Sequence, residues 1–169
     1  MLYKIILLIL ITFTPFLELR FSIPIGILQG EVGLPFGMTL QGFGMNWMIV
    51  FLVCVTTNAI LGPLVYFFLD KIIHLFTRIK IIDRLYTRIV EKTQKKTQKY
   101  VERWGWIGLA IFIGMPVPGS GSYSGAIAAY FLGLGYKKFI ITNIIGVLIA
   151  GILVTTGTLI GSGIWNSIV

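Results

Sequence analysis

Apolar residues in this chain come in two long runs and several short ones. Residues 3–14 are apolar and stop at Pro15, short of the roughly 20 residues at about 1.5 Å each that a membrane crossing needs. The next run is interrupted by Pro24, Gly26 and Gly30. Residues 31–44 are Gly-rich, contain Pro35 and read as an external loop. Residues 46–69 form the first run of spanning length, opened by Asn46-Trp47 and closed by Tyr66-Phe67-Phe68, aromatic ends suited to the head-group layer. Inside it Thr56, Thr57 and Asn58 make a polar notch and Gly62-Pro63 permits a kink. From 71 to 90 the pattern changes: apolar positions recur at 72, 75, 79, 82, 86 and 89 with basic residues between them, which predicts an amphipathic surface helix. Residues 91–99 lose the stripe and read as a solvated extension.

The plan then repeats. Residues 104–115 are a short apolar piece; Pro116-Val-Pro-Gly-Ser-Gly-Ser122 breaks it, because two prolines remove two backbone donors and Gly119 and Gly121 permit unusual dihedrals. A small-residue helix follows over 123–135, Lys137-Lys138 return to the charged side, and 139–160 is the second spanning run, with Thr155, Thr156 and Thr158 as its notch. Short hydrophobic pieces broken by Pro and Gly predict half-helices meeting within the membrane. The predicted fold is all-α: two repeats of inverted topology, each a re-entrant helical hairpin (3–30 and 104–135) plus a transmembrane helix (46–69 and 139–160). A cytoplasmic amphipathic connector over 70–103 joins them in a single membrane domain of residues 1–169. The rival topology makes 1–30 one kinked full span.

Composition supports a membrane protein. The chain has 169 residues, 56% hydrophobic and 12% charged, with a mean hydropathy of +0.91; soluble domains carry about 25% charged residues. That length excludes a large soluble catalytic domain. Residues 71–103 hold ten of the fourteen Lys and Arg residues. Lying between membrane segments, such a run is read as a cytoplasmic loop and not as a nucleic-acid site. Arg78, Lys80, Arg84 and Arg88 are its candidate contacts to lipid head groups. The N-terminal apolar piece lacks a small-residue cleavage site before Glu18-Leu-Arg20 and is therefore read as part of the membrane domain rather than a signal peptide.

Candidate chemistry is sparse. Cys54 and His74 are each the only one of their kind, so neither a disulfide nor a zinc site is expected. No Ser/His/Asp grouping and no metal-ligand cluster is legible; neither enzyme activity nor a cofactor is expected. The exception is Glu18 and Arg20, an acid and a base inside an apolar stretch. An intramembrane charge costs several kcal/mol and is by default a functional site. Two apart on a helix they would point away from each other; in an extended break they share a side. Glu18 could carry a proton through a transport cycle and Arg20 could hold an anionic head group; equally, the two could be a static ion pair locking the hairpin. The break at 116–122 offers backbone N–H groups next to a helix start near Ser120–Tyr123, an anion-binding arrangement, or it merely turns the chain. Gly26-x-x-x-Gly30, Gly121-x-x-x-Gly125 and Gly157-x-x-x-Gly161 would let helices approach closely.

Pro15-Phe-Leu-Glu-Leu-Arg20 with Ile23-Pro-Ile-Gly26, and Glu102-Arg-Trp-Gly105 with Pro116-Val-Pro-Gly-Ser-Gly-Ser-Tyr-Ser-Gly125, resemble the small multidrug export protein family over nearly the whole chain. That family is distantly similar to the DedA/VTT membrane proteins. The resemblance implies paired re-entrant hairpins, a substrate- or proton-binding role for Glu18 and Arg20, and a role in the second hairpin for Pro118, Gly119, Ser120, Gly121, Ser122 and Gly125. It further implies a transporter of the prokaryotic inner (plasma) membrane that moves an amphiphile such as a polyprenyl phosphate or other phospholipid with proton coupling. DedA-type members tend to carry an arginine by the second Pro-Gly, which this chain lacks. Export of cationic compounds and a non-transporting scaffold or assembly factor are the alternatives. Membrane lipids, the cargo, protons and a second copy of the chain in a homodimer are the expected partners, with no nucleic acid.

Overall fold

A computed structural model describes residues 1–15, 17–33, 37, 39–76, 105–117 and 119–168, without the side chains of 74–76 and 164–168. Most of the expected connector (77–103 of 70–103), with Arg78, Lys80, Arg84 and Arg88, lies outside the described residues, as do Trp104 and Pro118. Six helices and one small ribbon account for the described chain: α1 (Leu2–Phe13), α2 (Glu18–Ile27), β1 (Glu31–Gly33), β2 (Thr39–Gln41), α3 (Trp47–Phe76), α4 (Trp106–Gly114), α5 (Ser122–Phe131) and α6 (Tyr136–Ile168).

α1 and α2 double back on each other. Leu8 lies against Gly26 and the Thr12 hydroxyl meets the Ser22 hydroxyl at 2.8 Å. In one kinked span residues 8 and 26 would be about 27 Å apart; α1 and α2 instead form an antiparallel helical hairpin. α4 and α5 fold back likewise, with Ile113 against Gly125. α3 and α6 run antiparallel, Val55 meeting Gly151 and Ala59 meeting Asn143.

The hairpins are ordered along α3 from opposite ends. The open end of the first sits by Val50, which packs on Gly26. That of the second sits by Tyr66, whose hydroxyl donates to Leu134 O at 3.0 Å and whose ring meets Tyr130, Tyr136 and Phe139. Both tips reach the middle of α3, where the Ser122 hydroxyl donates to Asn58 O at 3.2 Å. The halves interlock: α2 packs on α6 as well as on α3, and α5 packs on α3. A single apolar core, including Leu8, Leu19, Ile23, Cys54, Ile113 and Phe139, fills the space between them.

Two expectations are corrected. Residues 31–44 are not a plain loop: β1 and β2 pair antiparallel, Glu31 with Gln41. The segment after them caps α2, with Phe43, Met45 and Gly44 N–H groups donating to Ile25, Gly26 and Leu28 carbonyls at 2.7–3.0 Å. A helix ends with orphan carbonyls, and this turn supplies their donors. The first long helix also does not stop at 69; α3 continues through Asp70-Lys71 to Phe76, so the surface helix expected from 71 cannot begin there.

α3 and α6 contain stretches of mean hydropathy 2.2 (Trp47–Ile73) and 2.3 (Tyr136–Gly163), long enough at about 40 Å to cross a hydrocarbon layer of about 30 Å. Their outward faces expose Leu52, Ile60, Leu64, Ile141, Ile152 and Ile160. Among the described residues every charge except Glu18 and Arg20 lies toward one end of the bundle or the other: Lys4 and Glu31 at one, Asp70, Lys71, Lys137 and Lys138 at the other.

Candidate functional site

Glu18 is the first residue of α2 and its φ is +44°, the left-handed region that bulky L-residues avoid. That backbone explains how two residues spaced two apart on a helix meet: Glu18 is turned out of the helical path, so its Oε2 accepts from Arg20 Nη1 at 2.9 Å. The expected extended break is thus a left-handed first residue. Its carbonyl is held by the Ser22 hydroxyl at 2.9 Å, which in turn accepts from Thr12.

Both ions are buried, Glu18 4% and Arg20 8% exposed, and both are matched from the other half of the chain. The Glu18 carboxylate accepts the backbone N–H groups of Ser122 and Tyr123, each at 3.2 Å. These are first-turn donors of α5, at the positive end of its dipole. Arg20 Nη2 faces Ile113 O (3.0 Å), Met115 O (2.7 Å) and Ser120 Oγ (3.2 Å), at the negative end of α4. Anion at a helix start and cation at a helix end are the favourable placements, each worth about 0.3–2 kcal/mol. Four short helices therefore meet around one ion pair, whose further hydrogen-bond partners lie 93 to 105 residues away in sequence. Tyr123 adds a direct tie, its hydroxyl donating to Phe13 O at 2.6 Å.

The small residues at the second tip have distinct tasks. A Cβ on Gly121 would run into the Glu18 carboxylate, and one on Gly125 would meet Ile113 at 2.6 Å. Gly119 has φ +89° and open space around it, so it serves the turn. Ser120 is buried and completes the Arg20 cage, donating onward to Met115 or Val117 O. A Cβ on Gly26 would run into Val50, whereas one on Gly30, Gly157 or Gly161 would meet nothing within 4 Å; the Gly-x-x-x-Gly spacing is a close-packing device at only some of its positions.

Some polar residues here were not legible as site residues. Pro63 has no N–H to give the carbonyl of Ala59, four residues back; Asn143 Nδ2 donates to it instead at 3.2 Å, in a space that a Cβ on Gly62 would close. Of the expected notches, Thr57, Asn58 and Thr155 are buried while Thr56 and Thr156 face outward. Among the described residues four buried side-chain atoms have no hydrogen-bond partner: Arg20 Nε, Asn58 Oδ1, Asn143 Oδ1 and Thr155 Oγ1. No group of three or more His, Cys, Asp and Glu side chains able to hold a metal occurs among the described residues.

Residues 18–153, which begin at the buried carboxylate and take in the second hairpin tip, match the family described as "Putative small multi-drug export protein". The chain belongs to that family. No curated protein and no solved structure matches it. Two helices of spanning length and membership of the small multi-drug export family together make this a membrane protein.

Proposed function

We propose that this small multi-drug export protein is a proton-coupled exporter of cationic amphiphiles. In this reading the two hairpins re-enter the membrane from opposite faces, the halves are inverted copies, and residues 70–103 lie in the cytoplasm of a prokaryotic inner membrane. The observation that carries the proposal is the Glu18 carboxylate, buried midway along α3 and shared by Arg20 and the first two N–H groups of α5. Protonating it weakens three charge-assisted bonds at once and loosens one hairpin tip from the other. The tips meeting from opposite ends of α3 support the re-entrant arrangement, because non-helical backbone at membrane depth must be protein-buried or line water.

Phosphate-lipid cargo, the expectation drawn from DedA-type proteins, is the weaker reading on this geometry. An anion would have to evict Glu18 from the N–H groups and from Arg20; a cation needs only to take the place of Arg20 on Glu18. The test is flux in proteoliposomes under an imposed pH gradient. Wild-type protein is expected to accumulate a quaternary-ammonium dye in response to the gradient, and Glu18→Gln to insert normally while losing at least about tenfold of that flux, the loss when a coupling group cannot be charged. Undiminished gradient-driven flux in Glu18→Gln would remove Glu18 from the mechanism.

A further inference from the structure

A second polar site opens away from the hairpin tips. Between the end of α2, the start of β1 and the last third of α6 lies a cleft of about 650 Å³, lined by Ile27, Leu28, Gln29, Glu31, Thr158 and Ser162, with Gly161 between the last two. That volume is in the range that takes a drug-sized molecule, roughly 300–1,000 Å³. Its walls are divided: Ile27 and Leu28 give an apolar surface, Gln29, Thr158 and Ser162 give dipoles, and Glu31 is the one charged side chain in its lining among the described residues. Lys4, the other charge at this end, is turned onto Phe43 O at 2.7 Å.

A further hydroxyl lies on the same face of α6, one turn nearer the middle of the helix. Thr155, Thr158 and Ser162 lie at i, i+3 and i+7 and so share one face of α6. Thr158 and Ser162 line the cleft; Thr155, a turn deeper, is 5% exposed, and its hydroxyl has no partner. A buried hydroxyl without a partner costs about 1–3 kcal/mol, an expense that a ligand or a water entering from the cleft would offset.

We infer that this cleft is the outward binding site of the exporter, taking an amphiphilic cation with its charge on Glu31, its apolar body against Ile27 and Leu28, and its inner end toward the Thr155 hydroxyl. The inference rests on the export reading for its place in a transport cycle, but the site stands or falls by its own binding. Among the described residues its lining carries a negative charge and no cation, which selects for positive ligands and against phosphates.

The experiment is equilibrium dialysis of the full-length protein in detergent with tetraphenylphosphonium, and in parallel with triphenylphosphine oxide, an uncharged molecule of similar bulk. Glu31→Gln is expected to weaken the cation by roughly fivefold, the worth of one partly solvated charge pair, and to leave the neutral compound within about twofold. Thr155→Val, which keeps the shape and removes the hydroxyl, is expected to weaken the cation by about threefold. Unchanged cation affinity in Glu31→Gln overturns the site, and so does affinity lost in Glu18→Gln but kept in Glu31→Gln, which would put the cation at the hairpin tips. The two proposals fail separately. Cation binding that needs Glu31, with no flux in wild-type vesicles, ends the export reading and leaves the site; flux that is equal in wild type and Glu31→Gln ends the site and leaves the export reading.

Discussion

Glu18 combines burial, charge and a left-handed backbone, and each makes the others tolerable. A non-glycine residue at positive φ costs of order 1–3 kcal/mol and persists where its surroundings over-determine it; here Arg20, Ser122, Tyr123 and the Ser22 hydroxyl do so. Breaking one side of a buried pair costs about 3–5 kcal/mol, so Arg20→Ala should lower the unfolding midpoint in detergent sharply. Arg20→Lys should recover little of it, because an ammonium lacks the fork that reaches Glu18 and the α4 carbonyls together; full recovery would show that charge alone suffices. Gly121→Ala should cost about 2 kcal/mol or more by driving a methyl into the carboxylate. Gly157→Ala, with nothing within 4 Å, should change stability by less than about 1 kcal/mol. Similar midpoints for the two glycine variants would contradict this packing. That Glu18 and Arg20 matter was legible in the sequence, because ions in an apolar run must be matched. Their pairing with the second hairpin was not: apart from the Ser120 hydroxyl the partners are backbone groups some hundred residues away, and although the 116–122 break read as a place for an anion, nothing in the sequence says that the anion is Glu18.

Among the elements, proline punctuation carried most of the information. Pro15 and Pro116, with the glycines after the latter, located both helical turns, and run length separated the short helices from the two of spanning length. What stayed hidden followed from short or solitary signals. The three-residue strands β1 and β2 are too short to show alternation. Asp70-Lys71 read as the end of a span, yet the helix continues beyond them to Phe76. No pattern singles out Asn143 in its apolar run, although Pro63 announces that Ala59 needs a donor. That pairing is testable by a double-mutant cycle. Asn143→Ala alone should destabilise by about 1–3 kcal/mol by leaving a buried carbonyl unpaired. Combined with Pro63→Ala, which returns the helical N–H, it should cost markedly less. Strict additivity would show that Asn143 does not serve this carbonyl.

For the molecule as a whole, the tip-to-tip arrangement makes a topological prediction. Lys4 and Glu31 lie at one end of the bundle and Lys137 and Lys138 at the other, so cysteines at Tyr3 and Lys137 should label with an impermeant maleimide from opposite faces of the membrane. Cys54 is fully buried and should stay silent. Labelling of both from the same face would refute the re-entrant arrangement of the first hairpin. Length, hydropathy and the basic run of 71–103 made the membrane class legible from sequence alone, whereas the interlocking of α2 with α6 and α5 with α3 depends on contacts between halves that no local pattern encodes.

The distance in sequence between Arg20 and its carbonyl partners bears on how the protein is made. At ribosomal rates of about 5–20 residues per second, Glu18 and Arg20 emerge some 5–20 s before Ile113 and Tyr123, which complete their shell. During that interval the nascent first hairpin holds an ion pair with five of its six hydrogen bonds unmade, so it is expected not to settle alone in lipid. Insertion is therefore a joint event of the two halves, and a ribosome stalled near residue 100 should leave a chain still held by the insertion machinery and open to quality-control proteases.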